Sequence, residues 1–241
     1  MIEILLMGFL LGMRHAMESD HVAAVASLVT KSPSVRESIR LGSVWGLGHT
    51  LTLFIFGSAV MLLDHMIPDR MALMLEFAVG IMLVALGIDV VRRFMHERVH
   101  LHAHRHADGT LHFHAHTHGD KDAHAVSAHT NPGHEHVHAG RFPLRALFVG
   151  VMHGMAGSAA MIVLTLQTVQ SFGMGLIYIA LFGLGSIGGM AALSMAIMLP
   201  LRHSAQRYAG LHQYLQFGIG AATIILGISM MFEIAGNGQF L

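Results

Sequence analysis

Leu75-Glu76-Phe77, Gly80 and Leu86-Gly87-Ile88 return at the same internal spacing as Leu215-Gln216-Phe217, Gly220 and Leu226-Gly227-Ile228. Each copy lies in an apolar stretch of about 20 residues, the length that spans a hydrocarbon core. Working outward, Gly46-Leu47-Gly48-His49 has a counterpart in Gly183-Leu184-Gly185-Ser186, and Gly12, His15 and Met17 have theirs in Gly150, His153 and Met155. The offset between copies is nearly constant over all three pairs of stretches, which chance likeness between oily helices does not produce. The chain reads as a duplicated three-helix unit.

Six apolar stretches result, near 2–29, 39–63, 71–94, 142–170, 173–200 and 210–235, cut by Lys31-Ser32-Pro33, Ile67-Pro68-Asp69, Pro200 and one long insert. The expected fold class is an all-α integral membrane protein with six transmembrane helices. An odd number of crossings per unit sends the second copy through the bilayer in the opposite sense, giving inverted repeats of the kind common in secondary transporters. The expected domains are a first three-helix repeat over 1–94, a His-rich loop over 95–141 and a second three-helix repeat over 142–241. Lys31, Arg36, Arg40, Arg92, Arg93, Arg98, Arg141, Arg145, Arg202 and Arg207 fall on one face of this arrangement, against Arg70 alone on the other. The positive-inside bias then leaves both termini outside the cytoplasmic (inner) membrane and the insert in the cytoplasm. The first stretch is expected to be retained, because it lacks a basic leader and carries ionisable residues where a signal peptide is apolar.

Composition agrees with a lipid environment: 54% of the 241 residues are hydrophobic and 12% charged, with a mean hydropathy of +0.59. Fourteen basic residues offset fourteen acidic ones, which removes the basic surface that general nucleic-acid binding needs. There is no cysteine, hence no disulfide, thiolate metal site or thiol nucleophile. A metal would have to be held by His, carboxylate, Met or backbone. The chain has 21 histidines, and imidazole is the commonest transition-metal ligand.

Arg14-His15-Ala16-Met17-Glu18-Ser19-Asp20-His21 puts a run of ionisable groups at bilayer depth, which is costly unless it faces a wet cavity or binds something. The bland account is a self-satisfied cluster with Arg14 and Glu18 paired one turn apart; that suffices for those two and leaves His15, Asp20 and His21 unexplained. On a straight helix Asp20 and His21 lie roughly 140° and 240° round from His15, so the three cannot face one ion together. The helix is therefore expected to be distorted here, although no proline marks a break. His49 follows in a stretch whose small residues allow close helix approach, and His153 occupies the repeat position of His15. The candidate metal residues are His15, Asp20, His21 and His49, then His153, with Glu18 either assisting or pairing with Arg14. Imidazole and carboxylate without thiolate suit nickel, cobalt or zinc.

The insert holds 14 of the 21 histidines between positions 96 and 138, many alternating, as in His100, His102, His104 and His106. Its composition suggests a flexible, low-complexity, metal-buffering segment. His96-Glu97-Arg98-Val99-His100 and His134-Glu135-His136-Val137-His138 match a zinc-protease pentad, but a tract this rich in His produces such pairs by composition, and catalysis would need them on a helix with a third ligand. An intramembrane metalloprotease is accordingly a distant alternative. A metal-sensing or metal-buffering membrane protein acting through the insert is the nearer one.

Arg14-His15-Ala16 through Asp20-His21, followed by Gly48-His49-Thr50, resembles the signature of the nickel/cobalt transporter family. There a helix carries Arg-His-Ala, four positions separate the first His from Asp-His, and Gly-His-Ser/Thr follows. The match covers the first two stretches; position 18 is Glu and 19 is Ser where the family usually has Asp and Ala, and the second half has the run His153 to Ser158 in place of an acidic, Thr-rich segment. The resemblance is to a shorter branch that includes urease-associated nickel permeases. It implies that His15, Asp20, His21 and His49 handle the metal, that Ni2+ or Co2+ is transported (with Zn2+ a further candidate), and that Asp20, where the efflux branch tends to have Gly, favours uptake. No prosthetic group and no enzymatic activity are expected. The expected partners are the divalent ion and the lipid bilayer, with a cytoplasmic metallochaperone as a candidate recipient and no nucleic acid.

Overall fold

The computed structural model describes residues 2–63, 68–96, 100–105, 111–116, 143–168, 171–207 and 209–236. Seven helices are found among them: α1 (Ile2–His15), α2 (Ser19–Val29), α3 (Val35–Leu63), α4 (Asp69–His96), α5 (Leu144–Thr168), α6 (Phe172–Arg207) and α7 (Ala209–Gly236). Local chemistry explains several of the boundaries. Ser34 caps α3 by accepting the backbone N–H of Glu37 at 3.2 Å, the serine half of a Ser-x-x-Glu capping pattern. Pro68 and Pro143 stand just before α4 and α5, where a missing N–H costs nothing.

Four of these helices, within 35–62, 70–95, 172–207 and 210–236, are long and apolar enough to cross a membrane; Ser19–Val29 and Leu144–Ala156 are shorter apolar helices. Large apolar side chains point outward, with Phe232 74% and Ile225 68% exposed, as lipid-facing residues would be. One expectation here needs correction. Pro200, read as a boundary, lies inside α6, which continues to Arg207. Proline removes one helical hydrogen bond, but leaving the helix in apolar surroundings would strand more backbone groups. The distortion expected in the first stretch is found as a break: α1 ends at His15 and α2 begins at Ser19.

Residues Met1–Val91 and Pro143–Leu241 form one compact unit, and Arg92–Phe142 a second. In the first unit α3 packs against α5 and α6, α1 against α6, and α2 against α6 and α7. Glycines set how closely these helices meet. A methyl group on Gly12 would strike the carbonyl of Phe182, and one on Gly150 would strike that of Trp45. Gly48 abuts the carbonyl of Leu147 and Gly185 that of Phe9; Gly80 meets Gly227, and Gly87 meets Gly220. Each contact has a mirror in the other triplet, because Gly12 matches Gly150, Trp45 matches Phe182, and Gly80 and Gly87 match Gly220 and Gly227. Asp89 accepts from Lys31 at 2.8 Å and from Arg145 at 2.9 Å, tying the α2–α3 turn and the start of α5 to α4.

In the second unit β1 (His100–Arg105) pairs antiparallel with β2 (Leu111–His116). Over these twelve residues the insert, read from composition as flexible and low-complexity, forms a two-stranded ribbon. Strict alternation has period 2, the period of a strand. The register sets His100 opposite His116, His102 opposite His114 and His104 opposite His112. The second protease-like pentad, 134–138, lies outside the described residues. Of the first, His96 ends a helix and His100 begins a strand, and 97–99 lie outside as well.

Candidate metal centre

The break between α1 and α2 builds the centre. The backbone N–H groups of Met17 and Glu18 bond to the carbonyls of Arg14 and His15 at 2.9 and 3.0 Å, three residues back, which closes α1 in a tighter turn. Glu18 is then extended (φ −65°, ψ 149°), and its carbonyl accepts from Val22 at 2.9 Å to start α2. This brings the His21 ring centre to within 4.3 Å of that of His15 and turns Asp20 toward His21 and His153, an arrangement that a straight helix does not allow. It also redirects Glu18. Of the two roles read for Glu18, assisting the metal residues or pairing with Arg14, the geometry fits the first: its carboxylate lies 3.0 Å from His15 Nδ1, because the i,i+4 spacing holds only along an unbroken helix, and Arg14 stays exposed.

His15, His21, His49 and His153 are all buried, each no more than 8% exposed. They come from α1, α2, α3 and α5, so both triplets contribute. His15 and His21 rings are centred 4.3 Å apart, as are His21 and His153. Two groups of donors result, His15-His21-His49 and Asp20-His21-His153, each with its ligand atoms within 4.8 Å of one another. His15 Nε2 and His49 Nε2 stand 3.2 Å apart. Two nitrogens bound to one ion at roughly 2.1 Å would be about 3.0 to 3.4 Å apart for angles between octahedral and tetrahedral, so this pair already has the spacing of neighbouring ligands.

Asp20 lies between two rings. Its Oδ1 accepts from His21 Nδ1 at 3.0 Å and its Oδ2 from His153 Nε2 at 2.9 Å. Among the described residues, four buried side-chain nitrogens have no hydrogen-bond partner: His21 Nε2, His49 Nδ1, His153 Nδ1 and Trp45 Nε1. All four belong to this cluster. A buried polar atom left unmatched costs on the order of 1–3 kcal/mol; a metal ion would complete an imidazole lone pair, but not the Trp45 indole N–H, which can only donate.

All six residues singled out from sequence meet here, with Arg14 left outside. Two neighbours were missed. Trp45, wholly buried, packs against His21 and His153 with ring centres 5.4 and 5.5 Å away. Phe182 packs against His15 at 5.3 Å. The repeat held the signal, since Trp45 precedes Gly46 as Phe182 precedes Gly183. The symmetry does not extend to the ligands, because the counterpart of His49 is Ser186, a buried hydroxyl.

Apolar spanning helices around a buried histidine–carboxylate cluster define the class: a helical membrane protein with the donor set of a metal handler. Over 236 residues the chain is 36% identical to the urease accessory protein UreH of Bacillus sp. (strain TB-90), covering 97% of this chain and 92% of that protein. It is 24% identical over 228 residues to a Methanocaldococcus jannaschii protein provisionally named as a nickel/cobalt efflux system, covering 92% of this chain and 88% of the relative. The chain belongs to the nickel/cobalt transporter family, on the side that resembles the urease-associated permeases. No family model matches it, and no solved structure does.

Proposed function

We propose that the protein is a secondary transporter carrying Ni2+ or Co2+ through the cytoplasmic membrane by way of the buried cluster of His15, Asp20, His21, His49, His153 and Glu18. The observation that carries this reading is the set of three buried imidazoles from three helices, with donor atoms within 4.8 Å of one another. A hydrated divalent ion must shed water to cross lipid, and these imidazoles replace part of its shell while the nearby carboxylates balance its charge. The function is transport, not catalysis, in keeping with the name of the Methanocaldococcus jannaschii relative.

The mirrored glycine contacts support two inverted three-helix repeats, with α1 and α2 together acting as one broken crossing and α3 to α7 as the other five. Discontinuous helices near the midplane are how many transporters build ion sites. Rocking one triplet against the other would part His153 from Asp20, now 2.9 Å apart, and so loosen the hold of the site on the ion. The basic residues set both termini outside and the His-rich loop inside, and Asp20 favours uptake, with a cytoplasmic metallochaperone as recipient. Radiolabelled Ni2+ flux into proteoliposomes tests this. Wild type accumulates the ion, while His15→Ala and Asp20→Asn lose at least tenfold in initial rate; equal rates in all three would sink the proposal.

A second reading, that the loop senses or buffers metal, draws on the cross-strand pairing of histidines in β1 and β2.

A further inference from the structure

Building on the transport site just proposed, we infer that the ion is held by the imidazoles of His15, His21 and His49 alone, and that Asp20 and Glu18 stand behind them as positioning carboxylates. The hydrogen bonds decide between ligand and support. As a carboxylate Asp20 can only accept, and its two oxygens already accept from His21 Nδ1 at 3.0 Å and from His153 Nε2 at 2.9 Å. That places the His21 proton on Nδ1 and leaves Nε2 as a lone pair. His21 Nε2 is buried and has no partner among the described residues.

Glu18 does the same for His15. Its carboxylate takes the Nδ1 proton at 3.0 Å, so His15 presents Nε2 as a lone pair, 3.2 Å from His49 Nε2. Carboxylate, imidazole and metal in series is the arrangement that fixes tautomer and ring direction and raises ligand basicity. His153 has the matching duty on the far side, holding the second oxygen of Asp20 so that the carboxylate cannot swing toward the ion. Three neutral nitrogen ligands leave coordination positions for water, so an ion can enter and leave without complete dehydration. The two negative charges sit one shell back, where they attract the cation without gripping it.

The test uses the purified full-length protein with Co2+ as probe, read by its d–d absorption, and with Ni2+ read by X-ray absorption. In wild type the Ni2+ spectrum fits three imidazole nitrogens with the remaining donors water-like and monodentate. Asp20→Asn retains the wild-type Co2+ band positions and intensities while its Kd rises about 10- to 100-fold, and Glu18→Gln behaves alike with a smaller rise. A shift of the Co2+ bands in Asp20→Asn, or a carboxylate clearly chelating Ni2+ in wild type, overturns the assignment while leaving a metal site in place. Should Asp20→Asn fail to fold, the wild-type Ni2+ spectrum decides by itself. Absence of any Co2+ spectrum in wild type overturns both this inference and the transport site on which it rests.

Discussion

Trp45 is the one tryptophan of the chain, and it sits against two of the histidines. Its emission therefore reports on the cluster without any label. Ni2+ and Co2+ have open d shells and quench a nearby indole, so titrating either ion into the purified protein should give saturable quenching. His21→Ala removes the ring that touches Trp45 and supplies an unpartnered nitrogen; its quenching should lose saturation and shift at least tenfold to higher metal concentration. Identical titrations of wild type and His21→Ala would place the ion elsewhere. An imidazole without its hydrogen-bond partner is a poor core residue, and a cation bound as proposed above would supply the missing partner.

Among the helices, glycine sets the separation that lets α1 and α5 reach the cluster. Gly12 and Gly150 meet backbone carbonyls of α6 and α3 respectively, and backbone cannot swing aside as the tip of a side chain does. Gly12→Ala and Gly150→Ala should each destabilise by about 1–3 kcal/mol through overpacking and lower the melting temperature in detergent. Because their contacts mirror one another, the two losses should be similar. Gly188, in the same α6, has nothing within 4 Å of where a Cβ would stand. There alanine should be neutral or stabilise by up to about 1 kcal/mol, since it reduces the freedom of the unfolded chain. A Gly188→Ala variant as damaged as Gly12→Ala would refute the packing argument.

For the whole molecule, the division into one helical unit and a second unit over Arg92–Phe142 leads us to expect that the proposed transport is separable from anything the histidine-rich insert does. Deleting residues 97–139 should leave Ni2+ flux in proteoliposomes within about twofold of wild type and reduce the number of ions bound per chain at saturation. Loss of flux on deletion, with the helices still folded, would make the insert part of the pathway. Asp89 gives the helical unit a clasp between its triplets through Lys31 and Arg145. These groups are partly exposed, and such pairs contribute up to about 1 kcal/mol, a strength that a moving protein can break and remake.

Much of the architecture was legible in the linear chain. Apolar length locates the helices because lipid permits few backbone solutions, and the recurrence of Leu-x-Phe, Gly and Leu-Gly-Ile pointed to the glycines that meet between α4 and α7. The cost of placing Arg14 to His21 at bilayer depth pointed to the cluster. Three matters were left to the tertiary structure. The turn at Ala16-Met17-Glu18 has no proline or glycine to announce it, so the partner of Glu18 could not be read from i,i+4 spacing. Pro200 looked like a stop because propensity does not register how strongly apolar surroundings hold a helix together. The roles of Trp45 and of each imidazole nitrogen depend on which atoms face each other across helices distant in sequence, and periodicity along one helix carries no information about its neighbours.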